Sequence, residues 1–144
     1  MLQAVDLRAV ENLVARYAEL VGDGDFAAVG DLFSDGVFLG SGAPSAATTP
    51  WRECSGAARS CYGDGTPRTH HATANSVIEQ GEGPDEATAR SYVTACQALP
   101  ELPPQPVAAG RYRDRFARTG GVWRFAERRV DTRLLGDTSR HLRP

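Results

Sequence analysis

Hydrophobic and polar positions follow two periods along this chain, helical near the start and alternating towards the end. Val5, Val10, Leu13, Val14, Tyr17, Leu20 and Val21 recur at intervals that place them on one helical face. This predicts an amphipathic helix over 5–21, with Asp6 available as a cap. Gly22-Asp-Gly-Asp25 breaks it, and Asp25 is placed to cap a short second helix from Phe26 to Phe33. Asp35-Gly36 marks a turn into a short strand, Val37-Phe-Leu39. Residues 40–50 are Gly, Ser, Ala, Thr and Pro and read as a loop, and a third helix is expected over 51–62. Thr69–Glu79 and Ala87–Leu99 read as strands around a turn at 81–84. Four prolines within 100–106 predict a bulged loop there.

The sharpest pattern lies in 110–130. Tyr112, Asp114 and Phe116 alternate with Arg111, Arg113 and Arg115, and after Thr119-Gly-Gly121 the rings of Trp123 and Phe125 flank Arg124. Alternation on both sides of a glycine pair predicts a β-hairpin with one inward face of rings and a carboxylate. Helices first and antiparallel strands afterwards give an α+β class, with helices on one face of a curved sheet. No repeat or linker divides the chain, so residues 1–144 read as one domain, with a core of about 5–134 and a tail at 135–144.

Composition narrows the partners. The chain has 144 residues, 41% of them hydrophobic, enough for one core. Net charge is −2, and all 16 basic residues are arginines interleaved with acids, which gives no electrostatic footprint for nucleic acid. No apolar run approaches the roughly 20 residues that span a bilayer, and the start lacks a signal-peptide layout. Cys54, Cys61 and Cys96 form neither an even framework nor a close metal pair, which suggests reduced thiols and a cytoplasmic location. The three histidines lack metal-site spacing, and no serine or cysteine sits in a nucleophile motif.

Candidate chemistry centres on His71. Alternation places His71, Thr73, Asn75 and Val77 on one strand face and His70 on the other. An imidazole near neutral pKa can take a proton from carbon or deliver one to a departing hydroxyl; the alternative is a structural histidine bonded to Asn75 or the backbone. Tyr17, on the inner stripe of the first helix, can donate to a developing oxyanion or serve as core packing. Asp114 shares an inward face with Tyr112 and can orient His71, act as a base or pair with an arginine. Trp123, Phe125 and Phe38 read as pocket wall.

In order and spacing, Arg16-Tyr17, Gly24-Asp25, Leu32-Phe-Ser-Asp35, Arg68-Thr-His-His71 with Asn75, Gly110-Arg-Tyr112 with Asp114, and Gly121-Val-Trp-Arg-Phe125 resemble the SnoaL-like group of the nuclear-transport-factor-2-like superfamily. The resemblance runs from about residue 5 to 134. It implies a cone-shaped curved antiparallel sheet wrapped around about three N-terminal helices, with a pocket at the open end. Relatives include scytalone and bile-acid dehydratases, steroid isomerase, polyketide cyclases and limonene epoxide hydrolase, most of them acting without metal or organic cofactor.

The resemblance also implies that His71 is the general acid/base, that tyrosines such as Tyr17 contribute to the pocket, and that Ser91 falls where scytalone dehydratase carries a second histidine. It implies a homodimer formed through the outer sheet face. One departure stands out: relatives place an aspartate where this chain has Gly22, and Asp23 is rotated about 100° from that position. The expectation is a cofactor-independent dehydratase, isomerase or aldol-type cyclase acting on an apolar polycyclic substrate. The alternatives are a non-catalytic binding module and an epoxide hydrolase.

Overall fold

The computed structural model describes residues 1–40 and 60–141. Helix α1 spans Ala4–Asp23 and α2 spans Phe26–Leu32. They are followed by β1 (Val37–Leu39), β2 (Thr69–Gln80), β3 (Glu86–Leu99), β4 (Leu102–Thr119) and β5 (Val122–Leu135). The strands form one curved, unclosed sheet in the order β1-β5-β4-β3-β2. Two helices are present among the described residues. The third expected helix lies outside them for 51–59, and Ser60–Tyr62 are not helical.

The apolar stripe of α1 does what its period requires. Val10, Val14, Tyr17 and Val21 are buried against the sheet, whereas Val5 in the first turn is exposed. Asp25 accepts from the Ala28 N–H and caps α2 as expected. Asp6 is the third residue of α1 rather than its cap: the Gln3 N–H donates to its Oδ2 at 2.8 Å. Its Oδ1 accepts from Trp123 Nε1 at 3.0 Å and from Arg118 Nη1 at 2.9 Å. One carboxylate therefore ties the helix start to both strands of the terminal hairpin.

These bonds hold the Asp6 carboxyl below its ordinary value of 3.8, the Gln3 backbone bond first, then Trp123 and Arg118. A lowered folded value means that the stabilisation is full above 3.8 and is lost as pH falls through the folded value. Asp6→Asn should therefore melt at a lower temperature than wild type at pH 7, with the gap closing as pH drops below about 4. Thermal unfolding of both proteins from pH 7 to pH 2 checks this; a gap that stays constant would refute it.

The sheet departs from the expected pattern at three places. First, β1 pairs with β5 in parallel, so the sheet is mixed rather than wholly antiparallel. Second, the proline-rich segment is strand: Pro103, Pro104 and Pro106 lie within β4. They are tolerated because β5 joins β4 only from Ala108 onwards, leaving this stretch paired on one side, where missing N–H groups cost little. Register shifts on β3 near Cys96 and Leu99 absorb the irregularity. Third, the tail packs. Gly136 N–H bonds Val107 O, Ser60 N–H bonds His141 O, and Gln97 Nε2 donates to Arg140 O.

The hairpin is as the alternation predicts, with Gly120 and Gly121 both at positive φ, as a two-residue turn demands. Gly110 is fixed by contact: a Cβ there would lie 2.2 Å from Asp131 O, at a bulge between β4 and β5.

Candidate functional site

Two constructions occupy the inner face of the sheet. The first is a buried ion pair in an aromatic box. Asp114 on β4 lies directly across from Arg128 on β5. Arg128 Nε and Nη2 donate to the two Asp114 oxygens, each at 2.8 Å, and neither side chain has exposed surface. The guanidinium lies 3.7 Å from the Tyr112 ring centroid, 4.5 Å from that of Tyr17 and 5.0 Å from that of Phe125. Tyr17 stacks on Phe38 and meets Tyr112 edge-on. Burial drives the Asp114 carboxyl above its ordinary value, and the bidentate Arg128 guanidinium, which favours the charged form, pulls it part of the way back. For Arg128, burial lowers the value and Asp114 more than restores it.

The second construction is a cleft of about 420 Å³ between α1 and the strands β2 and β3. Val14, Ala15 and Ala18 of α1 face Ile78 and Ala89 and form apolar walls. His71, Thr73 and Ser76 of β2 and Ser91 of β3 supply polar atoms, and Glu11 and Glu19 stand on the helix side. Ser91 is 2% exposed, and the hydroxyls of Ser91 and Thr73 are buried with no hydrogen-bond partner among the described residues. Such hydroxyls are costly to bury unless something in the cleft bonds them.

The expected site residues therefore divide. Tyr17, Tyr112, Asp114, Phe38 and Phe125 come together around Arg128, while His71 and Ser91 line the cleft. The expectation of one cavity holding His71 with Tyr17, Tyr112, Asp114 and Trp123 is not met. Both Asp114 oxygens are taken by Arg128, and Trp123 is tied to Asp6 under the Arg118 guanidinium. His70 and Arg113 are exposed, as strand alternation requires.

Asn75 is a further correction. β2 bulges between Ala74 and Val77, with Asn75 at a positive φ of 53°, so Ser76 takes the inward place and Asn75 and Val77 turn outwards. Asp23 is exposed and does not re-enter through a distorted helix end. A Cβ at Gly22 would meet only Thr69 O, at 3.7 Å, so packing does not demand glycine there.

Arg128, Glu11, Glu19, Thr73 and Ser76 were not among the residues singled out for the site. The helical stripe offered a signal for Glu19, which stands one turn before Gly22 on the face that meets β2. Cys61 is disulfide-bonded and Cys96 is free, which overturns three reduced thiols and removes that argument for the cytoplasm. Cys54 falls outside the described residues. Among the described residues no three His, Cys, Asp or Glu side chains gather as a metal site, and no helix is long and apolar enough to cross a membrane.

The sequence profile of the SnoaL-like domain matches residues 3–129. None of the curated proteins matches the chain. Among solved structures, a proposed scytalone dehydratase from Novosphingobium aromaticivorans is 24% identical, with a TM-score of 0.71 over 97% of this chain and 93% of that one. Aln2 from a Streptomyces species is 16% identical, with a TM-score of 0.72 over 92% and 94% of the two chains. An NTF2-like protein of cystatin-like fold from N. aromaticivorans is 21% identical, with a TM-score of 0.64 over 92% and 91%. At these identities the likeness establishes the fold.

Proposed function

We propose that this chain, which belongs to the SnoaL-like domain family, is a cofactor-independent lyase or isomerase for an apolar polycyclic substrate bearing oxygen substituents. The observation that carries the reading is His71 on the wall of a cleft that combines apolar walls with the hydroxyls of Thr73, Ser76 and Ser91 and the carboxylate of Glu19. His71 takes a proton from a carbon next to a carbonyl, and the electron pair moves onto the carbonyl oxygen. The Ser91 and Thr73 hydroxyls donate to that oxygen as charge develops. The protonated imidazole then returns the proton, either to carbon, which completes isomerisation, or to a departing hydroxyl, which leaves as water. Glu19 supplies the carboxylate that relatives carry at the Gly22 position. Asp114 acts at one remove, holding Arg128 and with it the Tyr17 ring that sets the position of α1. The fold similarity to a proposed scytalone dehydratase favours this chemistry.

The test is to offer polycyclic hydroxyketones and follow both binding and product. Conversion supports the reading; saturable binding with no conversion of any of them transfers the chain to the binding-module reading. That second reading is favoured by the ion-paired Asp114 and by Gly22. An epoxide hydrolase would need a carboxylate and an arginine around a water, and Asp114 and Arg128 instead bond each other with no exposed surface.

Tyr17 decides between two sources of oxyanion support. Its ring is 3% exposed and packed on Phe38 and Tyr112. Tyr17→Phe should change turnover by less than about threefold if Ser91 and Thr73 hold the oxygen, and Ser91→Ala should then cost about tenfold or more. The reverse ranking in steady-state assays would return the role to Tyr17. We also propose a homodimer joined through the outer sheet face, where Val77 and Tyr92 are 44% and 47% exposed. Light scattering at micromolar concentration should give twice the 15.4 kDa chain mass, and a monomeric mass would end that proposal.

A further inference from the structure

The outer face of the sheet carries a second concavity, of about 260 Å³, framed by Asn75, Val77, Arg90, Tyr92, Arg111 and Arg113. Strand register sets Arg90 opposite Arg113, and Arg113 opposite Arg129. Three guanidinium-bearing residues thus lie in one row across β3, β4 and β5, roughly 10 Å from first to last. Like charges directly opposite destabilise a sheet unless something neutralises them.

Among the described residues, nearby acids neutralise the row only at Arg90. Glu79 pairs with Arg90 at 2.8 Å, Glu127 with Arg115 at 3.6 Å and Asp131 with Arg133 at 2.6 Å. Arg113 and Arg129 have no ion-pair partner among the described residues. Arg111 is held at the groove edge, with its guanidinium 4.9 Å from the Tyr92 ring centroid and Nη2 donating to the Tyr92 hydroxyl at 3.1 Å. The β2 bulge adds a polar group: it gives Asn75 a left-handed backbone and turns it into this groove.

We propose that the groove binds a small oxyanion, a carboxylate or phosphate group, with the Arg113 guanidinium as its fork and Arg111 and Asn75 as flanking donors. A planar guanidinium with two parallel N–H groups matches either anion, and binding removes the repulsion along the row. The site faces away from the cleft and does not rest on the catalytic reading; it lies on the face proposed to join two copies, where the bound anion would also neutralise the arginines brought together.

The experiment is thermal unfolding of the full chain at constant ionic strength in chloride, inorganic phosphate or succinate. Wild type should show a saturable rise with phosphate or with succinate, about 4 °C at a tenfold excess over the dissociation constant, and none with chloride. Which anion acts identifies the source of the oxyanion. Arg113→Gln should lose the rise, and Arg124→Gln, altered at an arginine that pairs with Asp35 off the groove, should keep it. If Arg113→Gln fails to fold, Arg113→Lys keeps the charge without the fork and should bind about tenfold more weakly. Absence of a rise with either anion in wild type, or an undiminished rise in the Arg113 variants, overturns the proposal.

Discussion

Arg128→Met should destabilise the protein by about 3–5 kcal/mol, which corresponds to a fall of roughly 10–20 °C in melting temperature. The substitution keeps most of the side-chain volume, so the loss is electrostatic rather than a cavity effect. Asp114 would be left with no exposed surface and without its bidentate partner. Burial would then act on that carboxyl unopposed and raise its value further. A carboxyl raised in the folded state loses stability as pH rises from its unfolded towards its folded value. The deficit of Arg128→Met should therefore shrink as pH is lowered towards 4, because the orphaned carboxyl takes up a proton. Removing both charges, with Asp114→Leu added, should recover most of the loss, because an apolar pair of similar volume costs less than one orphaned charge. Urea unfolding of the single and double variants between pH 4 and pH 8 reads all three effects. A single variant as stable as wild type would show that the pair does not hold the box together.

His71→Ala should lower turnover about 100-fold or more while leaving substrate affinity within a few-fold, the pattern of losing a general acid/base rather than a binding contact. His71 lies on a cleft wall and is only partly buried, so its removal takes little packing from the core. Melting temperature should move far less than in Arg128→Met, which separates chemistry from folding. Single-turnover kinetics on a substrate found by ligand titration would check this. Equal turnover by wild type and His71→Ala would remove the proton-carrying role from His71 and leave the cleft as a binding site.

Much of this arrangement was legible from spacing. The α1 stripe, the Asp25 cap, the Gly120-Gly121 turn and the inward set Tyr112, Asp114 and Phe116 follow from local period and backbone chemistry alone. What spacing missed sits just past a register shift. Simple alternation from Trp123 and Phe125 sends Glu127 and Arg129 inwards and Arg128 outwards. The extra residue at Ala126, between the Arg115 and Phe116 pairings, reverses this and buries Arg128. The same reversal on β2 turns Asn75 out of the cleft and brings Ser76 in.

The sequence by itself determined the order of elements, the α+β class, the family and the strand face that carries His71, because each depends on neighbours a few residues away. Only the tertiary structure decided which candidates meet. Asp114 joins Arg128 because two strands bring residues 14 positions apart into register. His71 faces Glu19 and Ser91 because α1 lies across β2 and β3. A single bulge inverts every side chain beyond it at little local cost, so nothing in the neighbouring residues announces it. The pairing of whole strands and the packing of a helix over them fix where each bulge falls, and with it the membership of the site.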